Sequence, residues 1–180
     1  MYITPHLSTY KTKILVLGAS ESGKNSLFSK YTNGFSKSFE QSLGVDIFVR
    51  DEFLSNGESI SYSCWVCAPQ RRFEYYWPKF FRGASGAIIM FDLINKESFK
   101  EVYFWAKIVK KHLGLIPMIL LGNKADLKTK RVIDYEEVKL VSEKLKFVDY
   151  IEISVHEDIN VAESFKILNK AIQNYLDPDI

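Results

Sequence analysis

Short apolar runs alternate with helix-length amphipathic segments along the whole chain. Ile14-Leu15-Val16-Leu17, Ile88-Ile89-Met90-Phe91 and Met118-Ile119-Leu120-Leu121 are uninterrupted, the signature of strands covered on both faces. Strands are expected at 12–17, 45–53, 59–66, 86–92, 117–122 and 149–153. Helices are expected at 24–31, 96–112, 134–146 and 160–176, with a further one at 71–80. This alternation predicts a three-layer α/β domain whose parallel strands are joined by right-handed crossovers. Ser55-Asn56-Gly57 is a hairpin turn signal, so the second and third strands should pair antiparallel at one edge. No repeat or low-complexity linker interrupts the pattern. One domain is expected over 1–180, with 1–10 as an N-terminal extension and 177–180 as a tail.

In such a sheet the ligand loops gather at the carboxyl ends of the strands. Three polar stretches fall there: Gly18 to Asn25, Gly122 to Asp126, and Ser154 to His156. The first reads Gly18-Ala19-Ser20-Glu21-Ser22-Gly23-Lys24-Asn25 and lies between a strand and a helix. Successive backbone N–H groups wrap an anion in that context, at the positive end of a helix. Lys24 would reach the outer phosphates as a point charge. Gly18, Ser20, Glu21, Ser22, Gly23 and Ser26 are the accompanying phosphate-binding positions. The position after the lysine should carry a Ser or Thr hydroxyl for Mg²⁺, and here it is Asn25. The loop predicts nucleotide binding and gives metal-assisted chemistry little support.

The second stretch selects the base. Asp126 in Asn123-Lys124-Ala125-Asp126 is a carboxylate suited to accept from the N1–H and exocyclic amine of guanine. Adenine offers neither donor there and would leave a charged acceptor unpaired. Hydrogen bonds to charged groups are worth about 1.5–3 kcal/mol each, so rejection can be large. Asn123 can bridge the base to the phosphate loop, and the stem of Lys124 can lie along the ring.

Composition narrows the alternatives. A net charge of +2 is too small to argue for nucleic acid or an anionic membrane, and neither is expected as a partner. The 13 Phe and 10 Tyr are spread along the chain, as core material is, and not gathered as a stacking surface. Cys64 and Cys67 form a C-x-x-C without a second pair. They sit in a strand-like run, so two strand thiols in a reducing cytosol is the favoured reading over zinc or redox chemistry. Met1 to Lys13 lacks an apolar signal core, Tyr2 excludes N-myristoylation, and Leu176 to Ile180 holds no cysteine to prenylate. A cytoplasmic chain is expected, with membrane association left to a partner or to a tail outside this sequence.

Together these motifs resemble a small GTPase of the Ras superfamily, nearest the Rab branch, over about residues 11–176. Ser42-Leu43-Gly44-Val45-Asp46 resembles a Rab switch I. Phe80-Phe81-Arg82-Gly83-Ala84, and Phe91-Asp92-Leu93 followed by Lys96-Glu97-Ser98-Phe99, resemble Rab sequence around the fourth strand. The resemblance implies a P-loop G domain: a six-stranded mixed sheet with one antiparallel edge strand, flanked by five helices. It implies GTP or GDP as ligand, Mg²⁺ as companion ion, and protein effectors and regulators that read residues 35–50 and 66–82. Phe35 would cap the guanine, and Ser42 would offer its hydroxyl to Mg²⁺. Ser154 and Val155 match the loop whose backbone N–H meets the guanine O6, where His156 replaces a lysine.

The second switch departs from the family. Relatives carry W-D-T-A-G-Q, and this chain has Trp65-Val66-Cys67-Ala68-Pro69-Gln70. Val66 lacks the oxygen that holds Mg²⁺ through water, and Pro69 lacks the N–H that senses the outer phosphate. Gln70 retains the amide that would orient an attacking water. Of the metal positions only Asn25 and Ser42 remain, so a weakly held ion and impaired hydrolysis are expected. The alternative is a pseudo-GTPase interaction module without turnover, which exposed aromatics at 73–81 would favour. A small kinase would have no use for Asn123 and Asp126.

Overall fold

The computed structural model describes residues 9–31, 36–37, 44–53 and 59–177. Its strands are β1 (Thr9–Gly18), β2 (Ser36–Lys37), β3 (Val45–Phe53), β4 (Ser59–Cys67), β5 (Gly86–Asp92), β6 (Met118–Asn123) and β7 (Asp149–Glu152). Its α-helices are α1 (Lys24–Tyr31), α2 (Trp77–Phe81), α3 (Lys96–Leu113), α4 (Tyr135–Lys144) and α5 (Val161–Leu176). The sheet order is β2-β3-β4-β1-β5-β6-β7. The β2–β3 and β3–β4 pairs are antiparallel and the others parallel. This is the expected mixed α/β sheet of six strands, extended by the two-residue β2. A ladder that short requires no apolar periodicity and leaves no signal in the pattern.

Alternation along the central strands supplies both cores at once. Leu15, Leu17, Ile89, Phe91 and Leu120 face one side, under α2, α3 and α4. Ile14, Val16, Ile88, Met90, Ile119 and Leu121 face the other, with Phe28 of α1 and Phe165 of α5. Each such side chain contributes about 1.5–3 kcal/mol by leaving water. Strand β1 starts three residues before the expected start at 12, since Thr9, Tyr10 and Lys11 pair through their backbones with Ser59, Ile60 and Ser61. Residues 55–57, where the hairpin turn was expected, lie outside the described residues. The strands they join do pair antiparallel, with Phe53 opposite Ser59.

The helix expected at 71–80 is divided. A 3-10 segment, Arg71–Tyr76, leads into α2, with Pro78 in its first turn. Proline is tolerated there because the first helical N–H groups have no partner within the helix. Phe73, Trp77, Phe80 and Phe81 are all buried, and the Trp77 and Trp105 rings sit 4.9 Å apart. Of the aromatics in this stretch only Tyr75 is largely exposed, at 78%. The aromatics therefore pin the segment to α3 and the sheet and form no continuous exposed patch.

Cys64 and Cys67 are free and buried. Burial pushes the Cys67 thiol up to about 12, against the pull of Lys13 and Lys24. That is the reverse of an activated redox thiol. No helix among the described residues is long and apolar enough to cross a membrane.

Candidate functional site

Strand β1 ends at Gly18, beside Met90 of β5, and the chain enters α1 at Lys24. The loop between them holds itself together. Ser22 Oγ donates to Ala19 O at 3.0 Å. The buried Lys24 ammonium donates to Gly18 O at 3.0 Å, to Ala19 O at 2.5 Å and to Ser22 Oγ at 3.4 Å. Glu21 adopts φ 61° and is exposed, as are Ser20, Asn25 and Ser26. Burial pulls the Lys24 ammonium down to about 8, while Glu101 and Cys67 pull the other way.

That shift carries a pH prediction. A phosphate beside Lys24 favours the charged form and raises its pKa in the complex. Above pH 8 the free protein has lost the proton that the complex keeps, so anion binding takes up a proton. Affinity for a nucleotide is expected to be level below pH 7 and to fall by up to about tenfold per pH unit above 8. Titration calorimetry in buffers of different ionisation heat checks this. A flat profile to pH 10 sinks it.

A cavity of about 300 Å³ opens beside the loop, lined among others by Glu21, Lys24, Asn25, Asp46, Val66 and Gln70. Two of the positions expected to serve a divalent ion are changed in character. Asn25 turns its Nδ2 to Asp46 Oδ2 at 2.9 Å. Val66, directly across the ladder from Asp46, is an aliphatic side chain 3% exposed. Ser42 lies outside the described residues. A Mg²⁺ shell demands near-octahedral oxygens, and of the described protein donors expected for it only the Asn25 carbonyl oxygen is left. Asn25 and Val66 thus depart from the donor set of an ordinary magnesium centre, while the Glu21 and Asp46 carboxylates line the same cavity.

The same wall is closed by two contacts. Ala68 N donates to Gly44 O at 2.8 Å. The Phe73 ring lies against Gly44, where a Cβ would come within 2.4 Å of it. Pro69 and Gln70 both line the cavity, as does Arg72.

A second cavity of about 930 Å³ adjoins the loop on the other side, lined by residues that include Lys30, Asn123, Lys124, Asp126, Val155 and His156. Register aligns its floor, since Asp92 at the end of β5 stands opposite Asn123 at the end of β6. Asn123 is buried and joins three loops. Its Nδ2 donates to Ser22 O at 3.0 Å, and its Oδ1 accepts from Val155 N at 3.2 Å. Gly23 is required for this bridge, because a Cβ there would lie 2.2 Å from Asn123 Nδ2. The half-buried Asp126 accepts from Ser154 Oγ at 2.6 Å, which orients its carboxylate and leaves the second oxygen to a ligand. Lys124, at φ 70°, pairs with Asp92 Oδ2 at 2.5 Å. His156 is exposed, and its imidazole lies within 4.8 Å of the Asp126 and Glu157 carboxylates. Phe35 lies outside the described residues.

The sequence-predicted residues of the phosphate and base loops thus meet around one rim, with Gln70 on its outer wall. Three further residues bear on the site. Asp92 ends an apolar strand in register with Asn123, a signal present in the sequence. Asp46 and Lys30 reach it only through tertiary contacts, to Asn25 and to the carbonyls of Val155 and His156.

Comparison with known proteins agrees with this geometry. The Ras family model matches residues 13–174. The chain is 34% identical over 165 residues to Ras-related protein Rab-3B of Rattus norvegicus, covering 91% of this chain and 74% of the relative. It has the same identity over the same length to Rab-3B of Homo sapiens. Ras-related protein Rab-3C of Bos taurus is 34% identical over 161 residues, covering 88% of this chain and 70% of the relative.

Proposed function

As the chain belongs to the Ras family of small GTPases, on its Rab-like side, we propose that it binds GDP and GTP with a weakly held Mg²⁺ and hydrolyses GTP slowly. Family membership implies a guanine nucleotide, usually Mg²⁺, and protein effectors and regulators. The finer reading rests on this chain's own residues.

One observation carries the nucleotide assignment. Asn123 ties the phosphate loop to the base loop, so phosphates and base are gripped by one rigid unit. Gly18, Ser20, Ser22, Gly23 and Ser26 bind the phosphates through the loop, Lys24 supplies the charge, and Asp126 reads the base. Weak ion binding is supported by the Asn25 amide turned to Asp46 and by the aliphatic Val66. Slow hydrolysis is supported by Pro69, which offers no N–H to an outer phosphate. Phosphoryl transfer depends on positioning and charge neutralisation, so Gln70 alone would orient water without a sensor beside it. GTP and GDP would be poorly discriminated, because a switch needs differential affinity between its states. Effectors would read residues 35–50 and 66–82, in a trafficking or signalling role in the cytoplasm, with membrane attachment through a partner or a further tail.

The reading is tested by denaturing freshly purified protein, identifying the released nucleotide by chromatography, and repeating the preparation in chelator. GDP or GTP retained in both preparations is the expected result. Strict Mg²⁺-dependent retention with ordinary small-GTPase turnover refutes the metal-poor reading. A module without turnover is the second reading, and Pro69 on the cavity wall favours it. Single-turnover assays with loaded GTP separate the two, since slow phosphate release is expected from the first and none from the second.

A further inference from the structure

We infer that Lys30, in the last turn of α1, is a positioning residue for recognition of the 6-oxo group of the base. The inference deepens the guanine-nucleotide reading above and rests on it. The Lys30 ammonium donates to Val155 O at 2.9 Å and to His156 O at 3.1 Å, more than a hundred residues along the chain. These bonds join α1, which starts at the phosphate loop, to the loop that borders the base cavity. Lys30 itself lines that cavity.

Peptide geometry turns the two bonds into control of a donor. No described peptide bond is cis, so the carbonyl of Val155 and the N–H of His156 point in opposite directions within one plane. Holding the carbonyl on Lys30 therefore sets the direction of the His156 N–H. The Val155 N–H is already engaged by Asn123 Oδ1 at 3.2 Å, and the Glu157 N–H by Ser154 Oγ at 3.0 Å. The His156 N–H meets no acceptor among the described residues. Of the N–H groups at 155–157 it is the one left to meet a base oxygen.

The charge acts in the same sense as the geometry. A cation on the carbonyl side polarises the amide and strengthens its N–H as a donor. It favours an oxo group at position 6 and opposes the amino group that adenine carries there. Base selection then has two separable parts. Asp126 reads the N1–H and the 2-amine, while Lys30 acts through the 155–156 peptide on the 6-oxygen.

Three nucleotides separate these parts: GDP, 6-thio-GDP with sulfur in place of the 6-oxygen, and IDP without the 2-amine. Equilibrium affinities are measured for the wild-type chain, Lys30→Met, Lys30→Gln and Lys30→Arg, with ligand-free melting temperatures alongside. Loss of a charge-assisted hydrogen bond predicts that Lys30→Met and Lys30→Gln lower the preference for GDP over 6-thio-GDP about threefold to tenfold. The GDP to IDP ratio is expected to stay within about twofold in every variant, because the 2-amine contact lies on Asp126. Lys30→Arg, which keeps the charge and the donors, is expected to retain the wild-type preference.

An equal loss of affinity for all three nucleotides, or a GDP to 6-thio-GDP ratio unmoved in both neutral variants, overturns the assignment and leaves Lys30 a plain structural tether. Wild-type protein that binds none of the three overturns the guanine reading itself. Wild-type protein that binds GDP while the variants keep its ratio overturns the role of Lys30 alone.

Discussion

Asp126→Asn is expected to exchange guanine for xanthine as the bound base. The Asp126 carboxylate is placed by the Ser154 hydroxyl at 2.6 Å, and an asparagine oxygen can accept that same bond. The local structure therefore survives the change while the ligand-facing group does not. Guanine presents two donors, N1–H and the 2-amine, to a carboxylate. At about 1.5–3 kcal/mol per charge-assisted hydrogen bond, losing both corresponds to about a 10²- to 10⁴-fold lower affinity for GDP. Xanthine carries an oxygen at position 2, which the new amide N–H₂ can meet, so XDP should gain what GDP loses. Competition binding with GDP and XDP on the wild type and the variant checks this. A variant that keeps its preference for GDP would remove Asp126 from the base site.

The second large effect is a restoration. Asn25→Ser, Val66→Asp and Pro69→Gly together are expected to raise GTP turnover by about tenfold or more and to make it depend on Mg²⁺. Each change replaces one missing piece: a hydroxyl at the start of α1, a carboxylate at the end of β4, and a backbone N–H facing the outer phosphate. The structure adds a stability consequence. Val66 stands across the ladder from Asp46, so the carboxylate introduced at position 66 faces a like charge, and Asn25→Ser removes the amide that now meets Asp46. A like-charge pair directly across strands is destabilising. The ion-free variant should melt lower than the wild type, and Mg²⁺ should recover the difference by binding the folded state. Single-turnover hydrolysis and thermal melts, each with and without Mg²⁺, read both effects. Unchanged turnover in a folded triple variant would place the defect elsewhere.

The two predictions differ in how much of their basis was legible in the chain. The place of the 123–126 loop at the end of β6 was readable. Asn123 and Asp126 follow an unbroken apolar strand, and their hydrogen-bonding chemistry allows few alternatives. The departures Asn25, Val66 and Pro69 were readable as losses, because a missing oxygen or a missing N–H is a property of the residue itself. Where the substituted side chains go was not readable. The Asn25 amide turns to a carboxylate 21 residues away, and nothing in the local pattern marks Asp46 as its partner. The 71–80 segment shows the same limit. Its apolar content was legible, but its division into a 3-10 turn and a short helix follows from packing Phe73 on Gly44 and Trp77 on Trp105.

By itself the sequence determined the layers of the fold, the order of its elements, and which loops lie at the strand ends of the candidate site. Those features depend on the period of apolar residues and on local backbone chemistry, both written within a few neighbouring positions. Tertiary structure alone decided that Lys30 holds the 155–156 loop, that Asn123 joins three loops at once, and that Lys24 sits buried with its ammonium pulled down to about 8. Such contacts join segments far apart in the chain, and burial is a sum over every neighbour the fold assembles, so no window of sequence contains them.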